Sequence, residues 1–166
     1  MSLIKGIYAA SMSVLNKNLT LNIAKTIKHA ENLIEEGCHG VAIFGSTGQA
    51  QLISVSEKIE LLNDLSKSKY KEKFLVGTGF NSLGETINLM EVATTLDFTK
   101  FLIMPPAFYK FFYTIYTKFI STQFLKIIKN NFTFRNGIYY SCIKFYNFCV
   151  TIFIIGWRHN QKFFKI

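Results

Sequence analysis

The segment that most constrains the fold of this chain runs from Gly40 to Glu57. It begins with a short apolar run, Val41–Phe44, enclosed by two glycines, which is typical of a strand buried on both faces. The loop Gly45–Gly48 follows and carries two adjacent hydroxyl side chains, Ser46 and Thr47. Glycine lets a ligand approach the backbone closely, so this loop can present N–H groups and hydroxyls together.

A helix start follows the loop. Ser54 and Glu57 have the spacing of a capping box, in which the serine caps the helix and the glutamate bonds back to it. In a parallel α/β protein, a loop that joins a strand to a helix lies at the carboxyl end of the strand, where ligands bind. Ser46 and Thr47 are therefore candidate binding residues. The alternative on residue type alone is a tight turn whose hydroxyls are satisfied within the protein.

Strand and helix patterns alternate over most of the first 104 residues, which indicates βαβ units and a parallel sheet. The helix predictions rest on apolar spacings of three and four residues and on capping residues. The predicted strands are Ile4–Ala10, Val41–Phe44, Phe74–Gly79 and Phe101–Met104, and the predicted helices are Leu21–Glu36, Val55–Ser68 and Ser82–Leu96.

Several polar residues in this region are interpreted as structural. In the second helix, Lys58, Glu60 and Asp64 are predicted to form the solvated side. His29 and His39 are interpreted as solvated or hydrogen-bonded residues, not as ligands. The three cysteines include no C-x-x-C pair, so they support neither a disulfide framework nor a zinc site. We therefore predict no metal site and expect a reducing, cytoplasmic environment.

Three motifs carry a resemblance to a known family. They read G-S-T-G-Q-A-Q-L-I-S-V-S-E from Gly45, F-L-V-G-T-G from Phe74 and M-P-P-A-F-Y-K from Met104. They resemble the G-T-T-G-E…L-S…E, V-I-A-G-T-G and M-P-P-Y-Y motifs of the dihydrodipicolinate synthase and N-acetylneuraminate lyase family. The resemblance covers about residues 4–110. It implies an α/β fold, namely the first four βα units of a (β/α)8 TIM barrel, a fold that typically needs about 250 residues.

The family consists of Schiff-base aldolases, in which a lysine amine attacks the ketone of pyruvate. The resemblance implies that Ser46 and Thr47 hold the carboxylate of pyruvate or a similar 2-oxo acid, that no cofactor is used and that the protein forms a homo-oligomer. Gln49 replaces the family's glutamate. Phe108 stands near a tyrosine that shuttles protons between subunits in many synthases, and Tyr109 is the alternative match. A different aldolase or lyase of the family therefore fits at least as well as the synthase.

The printed sequence contains no I-G-x-K-[ED] segment, the family's site for the Schiff-base lysine. Tyr146–Asn147 echoes the Y-N-x-P motif that carries the family's proton-relay tyrosine, but no proline follows, and we interpret the echo as chance. The catalytic residues therefore stay unassigned. We predict that the polypeptide as written has no aldolase activity.

The composition changes abruptly after Lys110. Residues 1–110 have a net charge of +1, whereas residues 111–166 carry +8, contain no acidic residue and hold 11 of the 17 phenylalanines. Globular segments normally mix both charge signs. We therefore predict an aldolase-like domain over residues 1–110 and an unrelated, irregular tail over residues 111–166. Since its commonest residues have codons rich in A and T, our hypothesis is a frameshift near codon 110.

Two other interpretations of the tail lead to a different class of function. The apolar run Phe145–Trp157 has 13 residues, fewer than the roughly 20 that a membrane-spanning helix needs. Basic and aromatic residues together also resemble the composition of single-strand nucleic-acid binders, but no platform is arranged here. We expect neither partner. The alternative to an aldolase is nevertheless a non-catalytic interaction module whose tail contacts a membrane or nucleic acid.

Overall fold

The computed structural model describes residues 6–103 and two further strands, residues 138–145 and 148–155. Strands and helices alternate through the first of these regions, as predicted, with boundaries that differ by a few residues. Short 3₁₀ turns precede α2 and β3, at Ala50–Leu52 and Lys71–Lys73. The elements are β1 (Tyr8–Ala10), α1 (Ile23–Glu35), β2 (Gly40–Ile43), α2 (Val55–Leu65), β3 (Phe74–Gly77), α3 (Leu83–Thr95) and β4 (Lys100–Ile103).

Strands β1 to β4 form a parallel sheet in the order of the sequence. In β3, Phe74 and Val76 belong to the main apolar core, together with leucines of the helices packed on the sheet. The core is thus a layer between the sheet and its helices, and the α/β class predicted from the sequence is confirmed. The helix residues of this core are Ala30, Ile34, Leu61, Leu62, Leu65, Leu89, Met90 and Ala93.

Capping residues fix the helix ends. The Asn22 side chain caps α1, and Gly37 follows that helix with a φ of +109°, a conformation that glycine adopts without strain. The capping box of α2 is complete, because the Ser54 hydroxyl accepts from the Glu57 N–H and the Glu57 carboxylate accepts from the Ser54 N–H. The same carboxylate also accepts from the N–H of Leu21, at 2.8 Å. The predicted capping box of α2 is therefore confirmed, whereas at α3 the Ser82 hydroxyl accepts from the Glu85 N–H without the reciprocal bond.

The prediction for Lys58 is wrong. It assigned Lys58 to the solvated side of α2, but the side chain is fully buried, while Glu60 and Asp64 are exposed as expected. The reason is helical geometry: Lys58 precedes Leu61 and Leu65 by three and seven residues and therefore lies on their face. Its position on the buried face of the helix therefore determines its environment, although its side chain carries a charge.

The two histidines have no shared site. The Nδ1 atom of the exposed His39 accepts a hydrogen bond from the Ile7 N–H at 3.1 Å, which ties the chain before β1 to the start of β2. His29 is half-buried on α1. The structural interpretation of His39 is therefore supported by its contact.

The region predicted to be an irregular tail contains two described strands. β5 (Ile138–Phe145) and β6 (Phe148–Ile155) form an antiparallel pair, and β6 lies antiparallel to β4, so that β5 is an edge strand of a six-stranded sheet. β-branched and aromatic residues favour strands, which accounts for this addition to the predicted fold. The division of the chain at residue 110 lies outside the described residues and stays a prediction. Among the described helices, none is long and apolar enough to cross a bilayer.

Candidate functional site

The candidate site lies at the carboxyl edge of the parallel sheet. Ser11 follows β1, the segment Phe44–Gln49 follows β2, and Thr78 follows β3. The Ser11 N–H donates to the Ala42 carbonyl at 3.0 Å, so the end of β1 is held beside that of β2. The predicted binding residues Ser46 and Thr47 therefore lie at the edge where parallel α/β proteins bind ligands.

The segment Phe44–Gln49, here called the hydroxyl turn, has a left-handed residue at each end. Phe44 has a φ of 57° and Gln49 a φ of 51°, a conformation that costs side chains other than glycine about 1 kcal/mol. The Gln49 N–H donates to the Ser46 carbonyl at 3.0 Å, and the Ala50 N–H donates to the Gly45 carbonyl at 3.3 Å. These bonds close the turn, and the surrounding structure must hold its two strained ends.

The turn presents a set of hydrogen-bond donors that no other described residue engages. The side chains of Ser46 and Thr47 are exposed, and within residues 6–103 no hydrogen bond engages either hydroxyl. The backbone N–H groups of Ser46, Thr47 and Gly48 likewise donate to no carbonyl of the described residues. Consecutive free N–H groups in such a turn form a concavity that binds anions. The arrangement is suited to a carboxylate, which accepts several hydrogen bonds at once.

Two glycines allow neighbouring backbone to support the hydroxyl turn. A Cβ atom at Gly77 of β3 would overlap the Phe44 carbonyl, and one at Gly48 would lie 2.9 Å from the Ser11 carbonyl oxygen. Ser13 adds a direct contact, because its hydroxyl donates to the Gly48 carbonyl at 2.7 Å. The turn is thus packed between the ends of β1 and β3, with no room for side chains at these two positions.

Lys58 lies behind the hydroxyl turn in an apolar environment. Its Nζ atom is 3.7 Å from the centre of the Phe80 ring and 5.4 Å from the centre of the Phe44 ring. The atom is buried and has no hydrogen-bond acceptor among the described residues. Burial lowers the pKa of the Lys58 amine to about 8, and the negative charge of Glu85 partly opposes this effect.

Thr78 is a second buried polar residue whose side chain has no partner in the part of the chain that the structure describes. Its N–H donates to the Leu102 carbonyl at 3.0 Å, but no described residue hydrogen-bonds to its hydroxyl. Thr78 continues the alternation of Phe74 and Val76, which places it on the helix-facing side of the sheet. It therefore does not add a donor to the hydroxyl turn.

The sequence named Ser46 and Thr47 as candidates, but it did not indicate Ser13 and Lys58, which contact Gly48 and Phe44 of the hydroxyl turn. Ser13 gave no signal, because a serine near a strand end is common. Lys58 could have been recognised from its spacing to the buried leucines of α2. Within the described residues, no group of His, Cys, Asp and Glu could hold a metal ion. Phe108, Tyr109 and Tyr146–Asn147 lie outside the described residues.

Comparison with known proteins places these features in a family context. Residues 3–142 match the sequence model of the Dihydrodipicolinate synthetase family. The chain is 29% identical over 114 residues to a protein of Emericella nidulans named "Probable 4-hydroxy-2-oxoglutarate aldolase, mitochondrial", covering 65% of this chain and 37% of that protein. It is 37% identical over 89 residues to a 4-hydroxy-tetrahydrodipicolinate synthase of Listeria monocytogenes serovar 1/2a, covering 52% and 30%. The chain thus spans well under half the length of these relatives.

Solved structures show the same fold. A dihydrodipicolinate synthase from Agrobacterium tumefaciens superposes with a TM-score of 0.66 at 23% identity, covering 75% of this chain and 44% of that one. YagE, a prophage protein of the dihydrodipicolinic acid synthase family from E. coli K12, was solved with pyruvate. It superposes with a TM-score of 0.64 at 19% identity, covering 74% of this chain and 41% of that one. The described α/β sheet and helices therefore correspond to part of a TIM barrel.

Proposed function

Because this chain belongs to the Dihydrodipicolinate synthetase family, we propose that its hydroxyl turn binds the carboxylate of pyruvate or a similar 2-oxo acid. The observation that carries the proposal is a set of donors at the carboxyl edge of the sheet that bond to no other described residue, namely the hydroxyls of Ser46 and Thr47 and the adjacent N–H groups. Serine in place of the family's threonine keeps the hydroxyl donor. The pyruvate in the complex of YagE supports the choice of ligand class.

The corresponding reaction is Schiff-base aldol chemistry. A lysine amine attacks the ketone of the bound 2-oxo acid, water leaves, and a positively charged imine forms. In cleavage, this imine accepts the electron pair of the carbon–carbon bond that breaks. In condensation, the imine first loses a proton from the adjacent carbon to a base, and the resulting enamine supplies the electron pair for the new carbon–carbon bond. The hydroxyl turn would fix the carboxylate and so orient the ketone toward that lysine. We assign no residue of this chain to the lysine's role. The acceptor aldehyde, a homo-oligomeric state and a cytoplasmic location are part of this proposal only by analogy with the family.

Binding can be tested apart from catalysis. We would titrate the full-length, isotope-labelled chain with pyruvate and follow the amide signals of residues 44–49 by NMR. The double variant S46A/T47V removes both hydroxyls and is expected to weaken binding about a hundredfold or more, since about 1.5 to 3 kcal/mol is lost with each hydrogen bond to a charged group. The matched control S66A/T95V removes two exposed hydroxyls that bond only within their own helix regions.

The ligand and the predicted inactivity are tested by separate results. The proposal fails if pyruvate shifts no amide of the hydroxyl turn, or if S66A/T95V weakens binding as much as S46A/T47V. A separate test concerns the missing lysine segment: borohydride reduction in the presence of labelled pyruvate is expected to leave no covalent adduct on the chain as printed. A stoichiometric adduct would contradict the prediction of inactivity while supporting the choice of ligand.

The interaction-module alternative is less well supported. The family match and the aldolase relatives account for the βα units and for the hydroxyl turn, whereas no described feature points to a membrane or a nucleic acid. The aldolase-type 2-oxo acid site is therefore the function that the chain supports best.

A further inference from the structure

Among the described residues, the buried charge of Lys58 lacks the partners that such a charge normally has. Buried ammonium groups are usually paired with a carboxylate or hydrogen-bonded, because an unpaired one is costly. Within residues 6–103, Lys58 has neither an ion pair nor a hydrogen-bond acceptor, and its side chain is completely buried. Its neighbours are instead two aromatic rings. Because an unpaired buried charge destabilises the fold, this arrangement calls for an explanation in terms of function.

The two rings belong to the loops at the carboxyl edge of the sheet. Phe44 is the first residue of the hydroxyl turn and has a strained, positive φ. Phe80 belongs to the loop between β3 and α3, and its N–H donates to the Thr86 hydroxyl at 3.3 Å. Lys58 comes from α2, the helix that begins after the turn. One ammonium group therefore contacts both loops from the side of the helices.

We propose that the Lys58 ammonium group positions the hydroxyl turn, by cation–π attraction that holds the rings of Phe44 and Phe80 together behind it. The attraction acts between the positive charge and the negative face of each ring, and it is strongest where water is excluded. Since Phe44 leads directly into Ser46 and Thr47, holding its ring also holds the backbone that presents the donors. Lys58 is thus a positioning residue for the proposed carboxylate site.

The positioning depends on the protonation of a single amine. Burial lowers the pKa of Lys58 to about 8, so the amine is charged at neutral pH and loses its charge in mildly alkaline solution. Glu85, in the first turn of α3, is the charged group of the described residues whose field favours the protonated form. Glu57, next to Lys58 on α2, is engaged by the N–H groups of Ser54 and Leu21. Deprotonation therefore removes the cation–π contacts while the capping of α2 stays in place.

The test follows the hydroxyl turn by NMR without any ligand. Amide shifts of residues 44–49 and the Cε shift of Lys58 would be recorded in the full-length chain from pH 6.5 to 9.5. We expect both sets of signals to change together, with a common midpoint near pH 8. In K58M, which keeps the length of the side chain but has no charge, the step in the turn amides should disappear.

A second variant keeps the test decisive if K58M does not fold. E85Q removes the carboxylate that favours protonated Lys58, and its side chain makes none of the hydrogen bonds at the start of α3. The common midpoint should move to lower pH in E85Q, while the size of the step stays the same. The inference is overturned if the turn amides do not titrate with Lys58, if their step persists in K58M, or if E85Q leaves the midpoint unchanged.

This inference rests on the proposed function only in calling the turn a carboxylate site. If the amides titrate with Lys58 but pyruvate does not bind, the positioning stands and the proposed ligand fails. If pyruvate binds in both protonation states with equal affinity and the amides do not titrate, the ligand stands and the positioning fails. If the amides titrate with Lys58 and pyruvate also binds, the affinity of the natural chain for pyruvate should fall several-fold between pH 7 and pH 9. The affinity of K58M should not change in this way.

Discussion

The buried amine of Lys58 gives the free energy of unfolding a characteristic dependence on pH. The pKa of this lysine is lowered from 10.5 to about 8 by folding. Between these two values the unfolded chain binds more protons than the folded one, so the free energy of unfolding rises as the pH rises. For these pKa values the rise between pH 7 and pH 9.5 is about 2 kcal/mol. The contacts with Phe44 and Phe80 favour the charged form, so this value is an upper limit.

The variant K58M isolates this contribution. Methionine is unbranched and of similar length, but it does not titrate, so the rise should be missing from K58M. Lys100 and Tyr8 have shifted pKa values too, lowered and raised by burial respectively. Their effects are common to both proteins and cancel in the difference. Between pH 7 and pH 9.5, the free energy of unfolding of the natural chain should therefore rise by up to about 2 kcal/mol relative to that of K58M.

Urea denaturation at the two pH values, followed by circular dichroism, measures this difference. With a denaturant slope of about 2 kcal/mol/M, the midpoint of the natural chain should move by up to about 1 M relative to that of K58M. Equal pH dependence of the two proteins would refute the reasoning, because Lys58 would then not carry a lowered pKa. An opposite change, with the natural chain losing stability as the pH rises, would show that the amine has an acidic partner outside the described residues.

Two further predictions concern the support of the site. T78V replaces a buried hydroxyl that has no described partner by a methyl group, so it should raise the free energy of unfolding by about 1 kcal/mol in a urea titration and leave pyruvate binding unchanged. A loss of stability would mean that the hydroxyl has a partner. G77A would force a Cβ atom into the backbone of Phe44 and should cost about 3 kcal/mol or more, with large shifts of the amides of the hydroxyl turn. An unperturbed turn in G77A would show that β3 does not support it.

Local signals allowed much of the fold to be predicted. Ser54 with Glu57 specifies a helix start through contacts three residues apart, and Gly37 marks a helix end for a conformational reason. Both predictions depend only on neighbours along the chain. Ser46 and Thr47 could be named as candidate binding residues because the carboxyl end of a buried strand is itself a local feature, and their role stays a prediction.

Other features were not predictable in this way because they depend on the packing of distant segments. The left-handed conformation of Phe44 has no sequence signal, since phenylalanine rarely adopts it, and it is held by the backbone of β3. The burial of Lys58 requires two aromatic rings from separate loops. The antiparallel pair of β5 and β6 was not predicted because the tail contains no acidic residue and so differs from ordinary globular segments, although its β-branched and aromatic residues favour strands.

The carboxylate of Glu57 has a consequence for how the molecule opens. It accepts from the Ser54 N–H at the start of α2 and from the Leu21 N–H, just before the start of α1. Fraying at the start of α2 therefore breaks one of the contacts that hold the segment leading into α1, and we expect the starts of the two helices to lose protection against solvent together. In hydrogen exchange, the Leu21 amide should follow the rate of the α2 amides, although 36 residues separate it from Glu57. The contacts of the Glu57 side chain are thus expected to make the starts of α1 and α2 open cooperatively.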